Sequence, residues 1–96
     1  MTFDKNGICE LESITTVDEC DAYAYFLGRE VERHYLGKRD ALEWTEWHRQ
    51  DAFHANPVYH EAVAAFYQSA AKRHQDDLDG IDRLIPKIQA HREALK

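Results

Sequence analysis

Residues 16–36 read TVDECDAYAYFLGREVERHYL, and this stretch decides the predicted fold class. Thr16 followed by Glu19 is a capping-box pattern, in which each side chain accepts a hydrogen bond from the other residue's backbone N–H. Gly37 is a typical residue just beyond a helix C-terminus. Between Thr16 and Gly37, apolar residues recur at steps of three and four, which indicates one face of a helix. The sequence therefore predicts a first helix over about 17–36, with a buried stripe of Val17, Cys20, Ala24, Leu27, Val31 and His34.

Two further helices are predicted from similar signals. Asp40 with Glu43 repeats the capping pattern and predicts a helix over about 41–55. Asn56–Pro57 is a sharp boundary, because Asn caps helices and Pro suits the first helical position. A third helix is therefore expected over about 57–79. Its apolar side is predicted to hold Tyr59, Ala62, Val63, Phe66 and Ala70.

The last stretch predicts a fourth helix over about 81–95. Gly80 and Pro86 interrupt it, and Pro86 predicts a kink or a break because proline lacks the backbone donor and clashes with the preceding turn. The alternative is that the third helix continues and bends at Pro86. A separate or strongly bent final helix is the preferred interpretation.

The N-terminal arm, residues 1–15, is the least regular part of the sequence. Asn6–Gly7 favours a tight hairpin turn, because both positions of a type I′ turn need positive φ. Two isolated strands are marginal in water, so an irregular arm is an equal alternative. The predicted fold is all-α: a single domain over residues 1–96, with three to four helices in a small bundle and an irregular or short β-hairpin arm.

Composition limits the classes of function. The chain has 96 residues, 44% of them hydrophobic and 31% charged, with a net charge of −6. A negative protein gains nothing from counterion release on DNA or RNA, so we expect no direct nucleic-acid binding and instead a basic protein partner. No secretory signal and no apolar run of about 20 residues is recognisable. We therefore expect a cytoplasmic protein that does not enter a membrane.

The histidines offer a metal-binding alternative. His48 with Asp51, and His74 with Asp77, each place an imidazole and a carboxylate one helical turn apart, and two such pairs on packed helices could bind zinc. His60 begins an HExxH-like run that lacks the second histidine. The preferred prediction is no metal and no cofactor.

The cysteines and serines do not suggest nucleophilic catalysis. Cys9 and Cys20 match neither a zinc motif nor a CxxC pair, so reduced, partly buried thiols are expected rather than a disulfide. Cys20 lies on the apolar stripe, where a thiol is usually inert. Neither a glycine elbow around a serine nor a glycine-rich phosphate loop is present. The sequence therefore predicts a protein that is not an enzyme.

The aromatic residues and the acidic clusters suggest a partner-binding surface. Tyr25 lies about 120° and Phe26 about 140° around the helix from the centre of its apolar stripe, which predicts surface positions. Trp44 and Trp47 are predicted to lie in the core. Aromatic residues beside charges are typical of interface hot spots. The candidate partner-binding residues are Glu10, Glu12, Asp18, Asp21, Tyr25, Phe26, Asp76 and Asp77.

The resulting functional hypothesis is a non-catalytic protein-binding module. An acidic inhibitor that blocks a basic, nucleic-acid-handling site on another protein would fit the size and charge, as would a mobile-element anti-defence protein or an immunity-type protein. The alternatives are the metal-binding helical bundle and a self-assembling structural subunit. A homodimer is compatible with each of them.

Overall fold

The structure is a computed structural model that describes residues 1–50 and 56–96. Helix α1 spans Val17–His48 and helix α2 spans Pro57–Leu95, after a short 3-10 helix at Leu11–Ser13. The described chain is all-α, but the predicted bundle of three to four helices is wrong, because two long helices take its place. The chain divides into two compact units: unit 1 is Met1–Glu30 with Gly80–Lys96, and unit 2 is Val31–Asp79.

Helix α1 continues through the predicted boundary between the first and second helices. Gly37 does not end the helix, although glycine commonly does so. A Cβ atom at this position would lie only 2.7 Å from Nε2 of His74, so glycine serves close packing of α2 against α1. Asp40 lies inside the helix rather than at a cap. The prediction of a helix over about 41–55 includes residues 51–55, which lie outside the described residues.

Helix α2 begins where the sequence predicts it. Asn56 Oδ1 accepts a hydrogen bond from the Tyr59 backbone N–H at 3.3 Å, which is N-cap geometry. The helix then continues through Gly80 and Pro86, so the predicted separation into a third and a fourth helix is wrong. Ile88 is buried beyond the proline, and apolar side chains before it pack on the same core. This packing on both sides of Pro86 offsets the hydrogen bond that proline removes.

The N-terminal arm is irregular. Phe3 and Cys9 form an isolated antiparallel bridge, and Gly7 has a φ of 79°. Asp4 Oδ1 accepts the Ile8 backbone N–H at 3.0 Å, so a side chain stabilises the turn in place of further strand pairing. The chain then enters the 3-10 helix. The described arm contains no strand, and the β-hairpin alternative is therefore wrong.

Unit 1 has a core of large side chains. Its buried residues come from the arm and from both helices: Cys9, Ile14, Cys20, Tyr23, Leu27 and Ile88. The predicted apolar stripe is only partly correct, because Ala24 is exposed and Tyr23 is buried instead. The Tyr23 hydroxyl accepts the Cys9 backbone N–H at 3.4 Å, which explains why a tyrosine can occupy this position.

The arm is joined to both helices of unit 1 by hydrogen bonds. The Glu19 backbone N–H donates to Thr16 Oγ1 at 3.1 Å, as the capping pattern predicts. The Glu19 carboxylate accepts the Thr15 backbone N–H at 3.3 Å. His91 Nε2 lies 2.7 Å from the Ile14 carbonyl oxygen. These contacts hold Ile14, which is 1% exposed, at the start of α1.

In the described part of unit 2, the buried side chains are small. Ala41 and Thr45 are buried on α1, and Ala64 and Ala71 are buried on α2. Thr45 Oγ1 donates to the Ala41 carbonyl oxygen at 2.8 Å, which satisfies the buried hydroxyl. The predicted apolar side of the third helix is only partly covered, because its two aromatic residues are exposed: Tyr59 by 57% and Phe66 by 62%.

Candidate protein-interaction surfaces

Six of the eight predicted partner-binding residues lie in unit 1. Tyr25 is 69% exposed and Phe26 is 52% exposed, so both predicted surface aromatics are at the surface. Phe26 stacks on the buried Tyr23, with ring centroids 6.4 Å apart and planes 15° apart. Arg29 Nη1 donates to the Tyr25 hydroxyl at 3.5 Å. Phe26 is therefore an aromatic surface residue supported by the core, which limits the rotamer entropy that binding would remove.

The acidic residues of unit 1 differ in their partners. Glu10, Glu12 and Asp18 are exposed, and no ion pair involves them within residues 1–50 and 56–96. Asp21 instead faces Arg92, whose Nε donates to Asp21 Oδ1 at 2.7 Å. This hydrogen bond, followed by the guanidinium charge, lowers the pKa of Asp21. Among the described residues, three of these carboxylates therefore make no ion pair, whereas the fourth is paired with Arg92.

Asp76 and Asp77 belong to unit 2. Asp76 Oδ2 lies 3.3 Å from Nζ of Lys72, one turn earlier on α2. Asp77 Oδ2 lies 3.7 Å from Nδ1 of His34 on α1. Both carboxylates are exposed, but each has a neighbour of potentially opposite charge. The structure therefore separates the predicted residues into two groups with different electrostatics.

Unit 2 exposes two tryptophans that the sequence predicted to lie in the core. Trp44 is 47% exposed and Trp47 is 43% exposed, so their predicted core positions are wrong. The indole rings meet edge to face, with centroids 5.5 Å apart. Trp44 also stacks on Tyr67 at 6.1 Å. The physical reason is the alanine core, since helices that approach closely leave no room for an indole between them.

Aromatic contacts continue along both helices of unit 2. Tyr67 contacts Phe66 at 5.5 Å between centroids, and His60 contacts Tyr59 at 5.2 Å. His48 lies 5.3 Å from His60 and so connects the α1 and α2 members. We call this set the aromatic surface; its members are Trp44, Trp47, His48, Tyr59, His60, Phe66 and Tyr67. A contiguous, partly exposed apolar surface on a small protein is typical of an interaction site.

Shallow depressions lie along α1 in unit 2, and two of them are lined by described residues. Glu43, Trp44 and Trp47 line one of them. The other is lined by Tyr35, Lys38, Arg39 and Leu42. The first combines indole rings with a carboxylate, and the second combines apolar groups with two cations. Their opposite charges distinguish the ligands that each could accept.

The histidines pair across the helices of unit 2, in a pattern other than the predicted one. His34 Nδ1 lies 2.9 Å from His74 Nδ1, and His48 Nδ1 lies 3.0 Å from His60 Nδ1. In the part of the chain that the structure describes, no three histidine, cysteine or acidic side chains form a group that could hold a metal ion. Asp51, the predicted partner of His48, lies outside that part.

Both cysteines are free thiols, as predicted, and both are buried in unit 1 rather than partly buried. Burial raises the pKa of the Cys20 thiol, and the nearby Asp21 carboxylate adds to the effect. A raised pKa lowers the thiolate fraction at neutral pH, and the thiolate is the reactive form. Cys20, which is fully buried, therefore acts as a small core residue.

Comparison with known proteins does not identify a family for this chain. No protein-family model, no curated protein and no solved structure matches the chain. Among the residues described, neither helix has the apolar run that crossing a bilayer requires.

Proposed function

We propose that this chain is a non-catalytic protein-binding module, and specifically an acidic inhibitor that covers a basic, nucleic-acid-handling site on another protein. Mobile-element anti-defence proteins and immunity-type proteins are the classes that such a mode of action fits. The proposal depends on one observation above the others. In unit 1, the exposed Tyr25 and Phe26 occur together with three exposed carboxylates that have no described ion pair: Glu10, Glu12 and Asp18.

The chemistry of this combination supports a basic partner. Uncompensated carboxylates attract a positive surface and accelerate association, whereas partly exposed aromatic rings slow dissociation once they are desolvated. The net charge of −6 adds a long-range attraction for the same kind of surface. A site that normally binds nucleic acid presents such a positive surface, so an acidic protein can occupy it.

The first test is an affinity pull-down from the native cell extract at low and moderate salt, followed by mass spectrometry. The proposal predicts one stoichiometric protein partner with a basic site, captured more strongly at low salt. Addition of nucleic acid should compete with the captured chain. Capture that is insensitive to both salt and nucleic acid would contradict the proposal.

Kinetic measurements on the captured pair then separate the two contributions. Glu12→Lys and Asp18→Lys should each slow association by about three- to tenfold at low salt, with a smaller effect at high salt. Asp82→Lys is the matched control, because Asp82 is an exposed aspartate of unit 1 outside the proposed surface. An equal effect of Asp82→Lys would mean that net charge alone governs association.

Phe26→Ala tests the aromatic contribution to binding. It should speed dissociation by about tenfold or more and leave association nearly unchanged. The helical circular-dichroism signal should be retained, because the ring is 52% exposed. An unfolded Phe26→Ala variant would mean that stacking on Tyr23 is structural, and Tyr25→Ala would then serve as the test of the surface.

A second candidate function is a self-assembling subunit, which the exposed apolar side of α2 in unit 2 favours. Tyr59 and Phe66 are exposed and lie seven residues apart on this side. Sedimentation over a hundredfold range of concentration tests the idea. A mass that rises with concentration and falls in Phe66→Ser would support self-assembly, whereas a constant monomer mass would exclude it.

A further inference from the structure

Trp44 and Trp47 form a corner of two aromatic walls in unit 2. Their ring planes meet at 79° and their centroids are 5.5 Å apart. Together with Glu43 they line an open depression of about 350 Å³. Both indoles are more than two-fifths exposed. Tryptophan gains much from burial, so two neighbouring exposed indoles indicate a surface that another molecule covers.

The charge of this depression is negative. The face of an indole attracts a cation that lies within about 6 Å of the ring centroid. Because the two centroids are 5.5 Å apart, a cation held between the rings can lie within this distance of both. Glu43 adds a formal negative charge and makes no ion pair among the described residues, whereas the nearby Asp40 is paired with Arg39 at 3.4 Å. The next arginine along the chain, Arg49, is paired with Glu61 at 2.9 Å.

We infer that the depression formed by Glu43, Trp44 and Trp47 binds a cationic side chain of the partner, with arginine preferred. This inference rests on the proposed function, because it names the group of a basic partner that anchors the complex. A planar guanidinium stacks on an indole while its N–H groups donate to a carboxylate. An apolar side chain would leave Glu43 without a counter-charge, and an anion would be repelled by the ring faces and by the carboxylate.

The test is an NMR titration of the full, ¹⁵N-labelled chain with two capped peptides that differ at one position. One peptide carries arginine and the other carries citrulline, which has a similar shape but no charge. Trp44 and Trp47 are the chain's two tryptophans, so both indole N–H signals report on the depression. The arginine peptide should shift both signals and bind at least about fivefold more tightly than the citrulline peptide.

Substitutions locate the binding site. Glu43→Gln should weaken binding of the arginine peptide by about two- to fivefold, and Trp44→Leu should reduce it to the level of the citrulline peptide. Glu46→Gln is the control, because Glu46 is an exposed carboxylate of the same helix that does not line the depression. Its effect should stay below about twofold.

Three results would overturn the inference: equal binding of the two peptides, unchanged indole signals, or equal effects of Glu43→Gln and Glu46→Gln. The peptides replace the native partner, so this failure is distinct from failure of the proposed function. If salt-sensitive capture of a basic partner persists while the indole signals stay unchanged, only the anchor is wrong. If capture also fails, the proposed function is wrong as well.

Discussion

Unit 1 and unit 2 use parts of the same two helices in opposite ways. Unit 1 buries large side chains such as Ile14, Leu27 and Ile88, whereas the apolar residues buried within the described part of unit 2 are alanines. Large side chains between helices gain much from removal from water. Alanines gain little in this way, but they allow helices to approach closely and leave the aromatic residues outside. The comparison shows that the size of the buried residues decides which residues remain available for a partner.

The two proposed surfaces also differ in why their aromatic residues are exposed. In unit 1, Phe26 is half exposed and rests on a large core, so its position depends on Tyr23 beneath it. In unit 2, Trp44 and Trp47 are half exposed because the core beside them is small. An exposed aromatic residue gives up part of the stabilisation that burial would provide. Retaining several of them in a chain of 96 residues is consistent with a binding role.

Removal of a large core side chain should have the largest effect on stability. Ile14→Ala should lower the free energy of unfolding by about 2–5 kcal/mol, because Ile14 is 1% exposed and its loss leaves a cavity in unit 1. Urea denaturation measures this change. Ile8→Ala is the control, since Ile8 is 50% exposed and should change stability by no more than about 0.5 kcal/mol. Similar losses in the two variants would contradict the assignment of Ile14 to the core.

Two helical glycines should respond with opposite signs. A Cβ at Gly37 would lie 2.7 Å from His74 Nε2 and 2.8 Å from Cε1, so Gly37→Ala must displace an imidazole held beside His34. The clash should outweigh the gain in helix propensity that alanine brings, so that the fold loses about 1 kcal/mol of stability. A Cβ at Gly28 in unit 1 meets nothing within 4 Å, so Gly28→Ala should stabilise by about 0.5–1 kcal/mol.

Thermal unfolding of the two variants under the same conditions tests this difference in sign. Stabilisation by both substitutions would mean that α1 and α2 do not approach closely at Gly37. Gly37→Ala with His74→Ala provides a further check, because removal of the imidazole should restore most of the stability that the extra methyl group costs. Absence of such coupling would contradict the contact itself.

The smallest effect is expected for the ion pair of unit 1. Arg92 lowers the pKa of Asp21, chiefly through the hydrogen bond from its guanidinium. A carboxyl group whose pKa is lower in the folded state stabilises the fold. This stabilisation is fully present above the pKa of the unfolded state, about 3.9, and is lost as the pH falls through the pKa of the folded state. Asp21→Asn should therefore reduce the difference in Tm between pH 7 and pH 3, and salt should weaken the effect.

Asp18→Asn is the matched control for the ion pair. Asp18 is also an exposed aspartate of α1, and it has no ion pair within residues 1–50 and 56–96. Its substitution should reduce the pH dependence of Tm less than Asp21→Asn does. The reverse order would show that the position of Asp18 at the helix N-terminus matters more than the Arg92 contact.

Local signals in the sequence predicted the starts of both helices correctly, but the capping pattern of Asp40 with Glu43 also predicted a start that lies inside α1. Thr16 with Glu19, and Asn56 before Pro57, act through hydrogen bonds to backbone groups three residues away, so the sequence contains both partners. Helix ends within the chain were predicted poorly. Gly37 has the residue type of a helix stop, but its role depends on His74, which lies on the other helix.

The candidate surfaces were also predicted in part, since the exposed aromatic residues of unit 1 were found and those of unit 2 were not. The exposure of Tyr25 and Phe26 followed from their angle to the apolar stripe of one helix. The exposure of Trp44 and Trp47 did not follow from any such pattern, because a tryptophan is expected to be buried wherever a neighbour can cover it. The signal that could have found them is the alanine spacing of α2, Ala64 and Ala71, which indicates close helix contact.

The sequence by itself determined that the chain is helical, because helical periodicity involves residues within one or two turns. Its local signals marked both true helix starts, at Val17 and Pro57, but also two starts that do not form. The tertiary structure decided how many helices form and which sides are covered. Helix α2 stays continuous because side chains on both sides of Pro86 pack on the same core. Helix α1 continues through Gly37, where glycine makes room for His74 of α2. Local rules predict an interruption at both positions. Burial depends on the size of the facing residue on another helix, and no local pattern specifies that residue.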